Sequence, residues 1–296
     1  MLARIFYTQS IAACTNHVRK ADTIGASSDY LRKTSNSTQH LSSFPIYGGD
    51  ERELFGRDMF SQMDLFFSST PLEGPEQMAL DEVLLRHATR PLLRLYCWSA
   101  PCVTFGYFQQ WKKVQAAFPG RQLVRRSSGG GSVEHDGDNT FSLIIPPSEP
   151  AGRIPPSLFY KRFHEALVEV LHAFGWNARL LGLDETVQGE ACFQAPSLYD
   201  VMIENQKIVG GAQRRSAGTL LHQGSLHLPR KSKLVAAVEK EIISHEASEL
   251  ARIFFSALAA HLSSKVTLLK EEPLWLEEAS LLARTRYGTL SWTQKK

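Results

Sequence analysis

Arg125-Arg126-Ser127-Ser128-Gly129-Gly130-Gly131-Ser132-Val133-Glu134-His135-Asp136 is the stretch on which the reading of this chain turns. Gln122–Arg125 before the glycines and Ser132–His135 after them both read as strands. Three consecutive glycines between two strands let the backbone approach a ligand closely. Their N–H groups can form an anion-binding concavity or donate to a carbonyl oxygen. Arg125 and Arg126 can hold a phosphate or a carboxylate. The plainer alternative is a glycine-rich turn with solvated arginines, and composition leaves both standing. The spacing matches neither a dinucleotide fingerprint nor a phosphate-binding P-loop.

Upstream, Asp64–Ser68 reads as a short strand and Pro75–Ala88 as a helix, with Pro75 suited to the first helical position. Leu92–Trp98 and Cys102–Phe105 are strand-like, broken at Ala100-Pro101. Downstream, Thr140–Ile145 is a strand that Pro146-Pro147 ends. Ser157–Phe174 is the clearest helix: Phe159, Phe163, Ala166, Leu167, Val170, Leu171 and Phe174 form one stripe, with Ser157 and Gly175 as expected caps. A glycine-spotted loop, a hairpin turning at Glu204-Asn205-Gln206 and a strand over Thr219–Leu228 follow. Three helices are expected in the tail, over Lys231–Lys240, Glu246–Leu262 and Leu274–Arg286. Clustered strands without regular βαβ alternation predict an α+β domain with a mixed β-sheet core flanked by helices.

That domain is expected over 63–296. Residues 1–62 read differently: Ala26–Ser43 is rich in Ser and Thr and lacks periodicity. The expectation is a disordered extension or a misassigned start with Met63 as the initiator; a targeting segment is the alternative, weakened by Asp22, Asp29 and Asp50. A net charge of +3 over 296 residues is too small to argue for nucleic acid. No apolar run reaches the roughly 18 residues that a membrane span needs. The 4 cysteines, Cys14, Cys97, Cys102 and Cys192, are too scattered for a disulfide framework. Cys97 and Cys102 lack the partners of a zinc site, so no metal is expected. Reduced thiols in a cytoplasmic protein are the simplest reading.

Three further segments carry candidate chemistry. Lys207 precedes Gly210-Gly211-Ala212 on a strand, where close ligand approach is again allowed. That lysine can bind an acyl carbonyl or acyl phosphate or favour a nearby thiolate; an edge-strand lysine is the bland alternative. Cys192 sits in a loop before the lysine strand. A thiol is a natural nucleophile for thioester exchange, although a lone cysteine is more often a small buried hydrophobe. In Leu221-His222-Gln223-Gly224-Ser225, His222 reads as a satisfied core histidine rather than a site lining.

Taken in order, these segments resemble the lipoate–protein ligase, octanoyltransferase and biotin ligase superfamily. Arg125–Asp136 looks like its RRxSGGGxVxHD signature, and Lys207–Ala212 like its KxxGxA strand. His222–Ser225 resembles its HxG(S/T) strand, Met78-Ala79-Leu80-Asp81-Glu82 its early helix, and Arg286-Tyr287-Gly288 through Trp292 its usual ending. Biotin ligation is disfavoured, since no GRGRxG-like segment is present. Cys192-Phe193-x-x-Pro196-Ser197-x-Tyr199 looks like the octanoyltransferases that carry their catalytic cysteine ahead of the lysine strand. The resemblance thus implies Cys192 and Lys207 as catalytic residues. It implies Arg125, Arg126, Ser128, Gly129, Gly130, Gly131, His135, Gly210, Gly211, Ala212, His222 and Gly224 as substrate-binding ones.

The reaction so implied takes octanoyl from octanoyl acyl carrier protein as a Cys192 thioester and passes it to a lysine. The acceptors would be lipoyl domains of 2-oxoacid dehydrogenases or glycine cleavage H protein, with no cofactor. Arg214, Arg215, Arg230, Lys231 and Lys233 are candidates for docking acidic carrier domains. The residues after His227 read as helices that pack on the main domain, which favours the transferase over ligases with an extra C-terminal domain. Gly129-Gly130-Gly131 is nearer the ATP-dependent ligase form, for which ATP and Mg would be needed. Glu134 stands where the family has a larger apolar residue, leaving the acyl pocket's shape open there. A non-catalytic module that binds acylated carriers is the third reading.

Overall fold

The computed structural model describes residues 59–183, 196–227 and 246–295. An eight-stranded mixed sheet forms the centre, in the order β11-β1-β2-β6-β10-β9-β8-β7. Its strands are β1 (Met63–Phe67), β2 (Leu92–Tyr96), β6 (Asn139–Ile145), β7 (Ala178–Leu180), β8 (Val201–Ile203), β9 (Gln206–Ser216), β10 (Thr219–Leu226) and β11 (Val266–Leu269). β11, β1 and β2 run parallel; from β2 onward every pairing is antiparallel. A second sheet of order β4-β3-β5 combines β3 (Cys102–Phe105), β4 (Leu123–Arg125) and β5 (Val133–His135). The expected α+β class with a mixed sheet is what the chain adopts.

Both faces of the central strands are covered, which is why their apolar residues run continuously rather than alternate. On one face Leu93, Leu95, Phe141 and Leu143 pack against Phe159, Phe163 and Leu167 of α3 (Pro156–Ala173) and Phe254 and Phe255 of α4 (Glu246–Leu262). On the other, Phe66, Leu92 and Ile144 meet Met78, Leu80 and Leu84 of α1 (Gly74–His87) and Ala279 of α5 (Pro273–Leu282). There are two shorter helices, α2 (Trp111–Ala117), between β3 and β4 in the chain, and α6 (Leu290–Thr293), which packs against β4. Among the described residues no helix is long and apolar enough to cross a membrane.

Several boundaries differ from expectation. Residues 1–58, and the helix expected over 231–240, lie outside the described residues. Phe60 moves the start of the fold earlier than Met63: it is 1% exposed in the core, and its N–H donates to Leu262 O at 2.9 Å. Ser157 does not cap α3, which begins at Pro156 after Pro155, while Gly175 ends it with φ +85°. The tail helix stops at Leu282 and widens into a π-helical turn over Ala283–Tyr287.

Candidate functional site

β9 and β10 pair through Gly211↔Gly224, with Ala212 opposite Gln223 and Gly210 opposite Ser225. Small residues here leave the middle of the large sheet open, and the glycine loop after β4 covers the opening. Gly129 N–H reaches Gln213 O at 3.4 Å, and Gly130 takes a left-handed φ of +82° that a glycine adopts without strain. The result is an open cleft of about 660 Å³ counting its mouth. Gly130, Gly131 and His135 line one side; Lys207, Gly210, Gly211, Ala212 and Gly224 line the other. Met78, Tyr96, Trp98 and Val133 supply an apolar wall.

Lys207 is held rather than loose. Its Nζ lies 2.8 Å from Asp200 Oδ2, and the side chains are 11% and 1% exposed. Asp200 Oδ2 also accepts from Ser197 N–H at 2.6 Å, and Oδ1 accepts from the Tyr160 hydroxyl. Tyr160 Oη in turn accepts from Gly211 N–H at 2.8 Å. Burial, and then the Asp200 charge, pushes the Tyr160 hydroxyl well above the usual tyrosine range, so it stays a donor to that carboxylate. A Cβ on Gly210 would collide with Lys207 Cε and Nζ, so that glycine makes room for the lysine to lie across its own strand.

A second polar chain fixes the opposite wall. Asp138 Oδ2 meets His135 Nδ1 at 3.0 Å, and His135 Nε2 meets Thr104 Oγ1 at 2.8 Å. Arg126 Nη1 donates to the same Thr104 oxygen at 2.8 Å, so that hydroxyl joins the histidine to the arginine. Arg126 Nη2 then donates to Gly129 O at 2.9 Å and Gly131 O at 2.7 Å. Burial acts to raise the Asp138 carboxyl, but the His135 hydrogen bond and charge, with Ser225 and His227, hold it below the usual carboxylate range. Trp98 stacks on His135 with ring centroids 4.0 Å apart. Behind the loop, Ser128 Oγ donates to Gln223 Oε1 at 2.6 Å, and Gln223 Nε2 to Asp81 Oδ2 at 2.7 Å. Asp81 is itself paired with the fully buried Arg94 at 2.5 Å.

Most of the residues expected at the site converge, but not all in the expected role. Arg126 lines the cleft, yet three of its hydrogen bonds go to Thr104 and the loop carbonyls. Arg125 does not reach the cleft: it is 1% exposed and donates to the carbonyls of Tyr107, Gln109, Trp292, Thr293 and Lys295. Ser128 is buried behind the loop rather than in it. His222 sits beneath Gly211 among Phe141, Phe159, Tyr160 and Phe163, and neither ring nitrogen finds a hydrogen-bond partner among the described residues. It is a core residue, away from the cleft wall. Glu134 turns outward, 3.6 Å from Arg121 with a 54% exposed side chain, so it does not shape the pocket. Arg215 donates to Gly152 O at 2.7 Å, while Arg230, Lys231 and Lys233 lie outside the described residues, as does Cys192. Asp200, Thr104 and Asp138 were not anticipated. The available signals were weak: a carboxylate directly before an apolar strand, a lone strand threonine, and a second aspartate in the turn after His135. Among the described residues no group of three or more His, Cys, Asp or Glu side chains is placed to hold a metal ion.

A family model described as the lipoyl protein ligase A/B catalytic domain matches residues 73–272. An octanoyltransferase LipM of Kyrpidia tusciae is 36% identical over 178 residues, 54% of this chain and 64% of that protein. A Moorella thermoacetica octanoyltransferase LipM is 38% identical over 177 residues, with 55% and 64% covered. These alignments span just under two thirds of those relatives' length. An octanoyltransferase LipM of Brevibacillus brevis aligns over 263 residues at 29% identity, covering 74% of this chain and 94% of that one. Among solved structures, a T. acidophilum protein with bound lipoic acid superposes with a TM-score of 0.60 at 22% identity, covering 79% of this chain and 99% of that one. A structure from an archaeal lipoylation system, that of a bi-partite lipoate protein ligase and its E2 lipoyl domain from Thermoplasma acidophilum, gives 0.56 at 22% identity over 79% and 96%. At that identity the likeness is one of fold.

Proposed function

Because the chain belongs to the lipoyl protein ligase A/B catalytic domain family, we propose that it is an acyltransferase. It moves an octanoyl or lipoyl group from the correspondingly acylated acyl carrier protein to a lysine of a lipoyl domain or glycine cleavage H protein. The observation that carries this reading is Lys207, held by Asp200 in a cleft whose far wall is the glycine loop. In the first step the Cys192 thiolate attacks the thioester carbonyl, and the carrier thiol leaves and takes a proton. Lys207 and the N–H groups of the loop steady the oxyanion as it forms. In the second step the neutral acceptor amine attacks the Cys192 thioester. An amide forms, the Cys192 sulfur departs, and the proton lost by the amine balances it.

Met78, Tyr96, Trp98 and Val133 offer the acyl chain an apolar surface. Each methylene buried there contributes about 0.8 kcal/mol, so shortening the chain by two would cost roughly fifteenfold in affinity. Ser197, in the segment that carries Cys192, lines the same cleft, which suits a nucleophile delivered from that loop.

The second reading, an ATP-dependent ligase, is favoured by Gly129-Gly130-Gly131, whose backbone can lie close to an adenylate. It would need ATP, Mg and a free acid, and it would not need Cys192. Intact mass after mixing the protein with octanoyl carrier protein, without ATP, separates the readings. The transferase gains one octanoyl group that hydroxylamine removes and that Cys192→Ala lacks. A Cys192→Ala protein that still modifies a lipoyl domain from ATP and free lipoate makes the chain a ligase. Carrier binding without transfer under either condition makes it a non-catalytic module.

A further inference from the structure

Phe108 is the most exposed large apolar side chain among the described residues, at 87%. Its backbone is nonetheless clamped. Gly106 N–H donates to Gln109 Oε1 at 2.8 Å, and Tyr107 N–H donates to Ser128 O at 2.8 Å. Arg125 Nη1 donates to Tyr107 O at 2.6 Å and Gln109 O at 2.8 Å. The aromatic ring is thus presented to water by a loop that has little freedom left. A rigid, exposed aromatic costs little conformational entropy when a partner covers it, which is the profile of a binding hot spot.

The loop also touches the site. Gly106 packs so tightly under Gly130 that a Cβ there would collide with Gly130 O, and Gly130 lines the cleft. Charge around it is of one sign. Residues 106–118 contain Lys112 and Lys113 and no acidic residue. Lys295 places its Nζ 4.8 Å from the Tyr107 ring centre. All three lysines are exposed.

We propose that the Phe108 loop is the docking platform for the acyl acceptor, an acidic protein domain with a reactive lysine at its surface. The identification rests on the transferase reading above. Reach selects the acceptor rather than the acyl donor. An extended lysine spans only about 6 Å from Cα to Nζ, so its domain must sit against the rim of the cleft. A donor carried on a long flexible arm is not so constrained. The lysines steer and orient an acidic face, and Phe108 fills an apolar depression within it.

The test compares wild type, Phe108→Ala, Phe108→Trp and the Lys112→Glu/Lys113→Glu double variant. Affinity is measured for an isolated acidic lipoyl domain and for acyl carrier protein. Acyl transfer is measured to that domain and to a short lysine peptide. Phe108→Ala is expected to weaken lipoyl-domain binding about tenfold or more and to raise KM for the domain with kcat little changed. Phe108→Trp should retain binding, and peptide acylation should be unaffected. The double variant should bind more slowly and lose the salt dependence of association. Wild-type affinity in Phe108→Ala overturns the proposal, as does a loss confined to acyl carrier protein or a wild type that does not bind the domain. If wild type acylates neither acceptor the transferase reading fails, while the binding comparison still decides the docking surface.

Discussion

At the residue scale, the site depends on side chains kept small so that a few long ones can be placed. Gly210 and Lys207 form the sharpest case, because the lysine occupies the volume that a Cβ on Gly210 would need. Gly210→Ala is therefore expected to expel the ammonium from its seat beside Asp200. Turnover should drop at least a hundredfold while thermal unfolding shifts little, an effect on positioning rather than on packing. Near-normal kcat in Gly210→Ala would show that the lysine need not lie where it does. Lys207→Ala should abolish turnover with the fold intact, and Lys207→Arg should rescue poorly. A planar guanidinium needs more width than the gap over Gly210 and cannot place its charge at one point. Steady-state kinetics with circular dichroism on both variants checks this; substantial activity in Lys207→Arg would mean that any cation suffices.

At the element scale, the glycine loop is shaped by what holds its two ends. β4 delivers Arg125 into the C-terminal segment and the next residue, Arg126, into the loop. One strand thus couples the ending of the chain to the cleft. Trp292 Nε1 returns a hydrogen bond to Arg125 O at 2.9 Å, which closes the link. Arg125→Ala would leave several buried carbonyls unpaired. It should cost about 2–4 kcal/mol in a urea titration and speed hydrogen exchange over residues 290–295. Unchanged exchange there would mean that the segment is held by Trp292 packing alone. The sequence made the strands and the α3 stripe readable because apolar period is a local property; it could not distinguish two adjacent arginines, whose fates are set by the C-terminal residues that meet one of them. For the same reason α2, with Val114 its one buried residue, and the short β7 and β11 escaped notice. Lys207 and the glycines were legible as a cluster because a lysine just before paired glycines, and a triple glycine between strands, stand out by residue type; Asp200 and Thr104 did not, since their places are set by contacts across the fold.

At the scale of the whole molecule, the core closes over groups that must stay uncharged. His164 and His222 are both 0% exposed, with ring centroids 5.5 Å apart, on α3 and β10. His164 Nδ1 meets Tyr199 O at 2.7 Å, but its Nε2 and both His222 nitrogens have no partner among the described residues. Burial pushes His164 down from 6.5 to about 4; burial and then the His164 charge push His222 well below the same ordinary value. A base whose folded-state pKa is depressed binds fewer protons than it does in the unfolded chain. Its contribution to stability is fully present above the unfolded value, about 6.5, and is lost as pH falls toward the folded one. For His164 the shift corresponds to something on the order of 3 kcal/mol. Asp138, lowered from 3.8, has its effect only at pH below that range. The urea midpoint is therefore expected to be flat above about pH 7 and to fall steadily between about pH 6.5 and 4.5. His164→Asn, whose amide nitrogen takes the place of Nδ1 as donor to Tyr199 O, should make that slope shallower, with His222 and His227 keeping the remainder, even if it lowers stability at neutral pH. Equal midpoints at about pH 7 and 5 in wild type would mean that the two imidazoles take up their protons as readily folded as unfolded. The aromatic cage under Gly211 would then not be the dry environment that its packing implies.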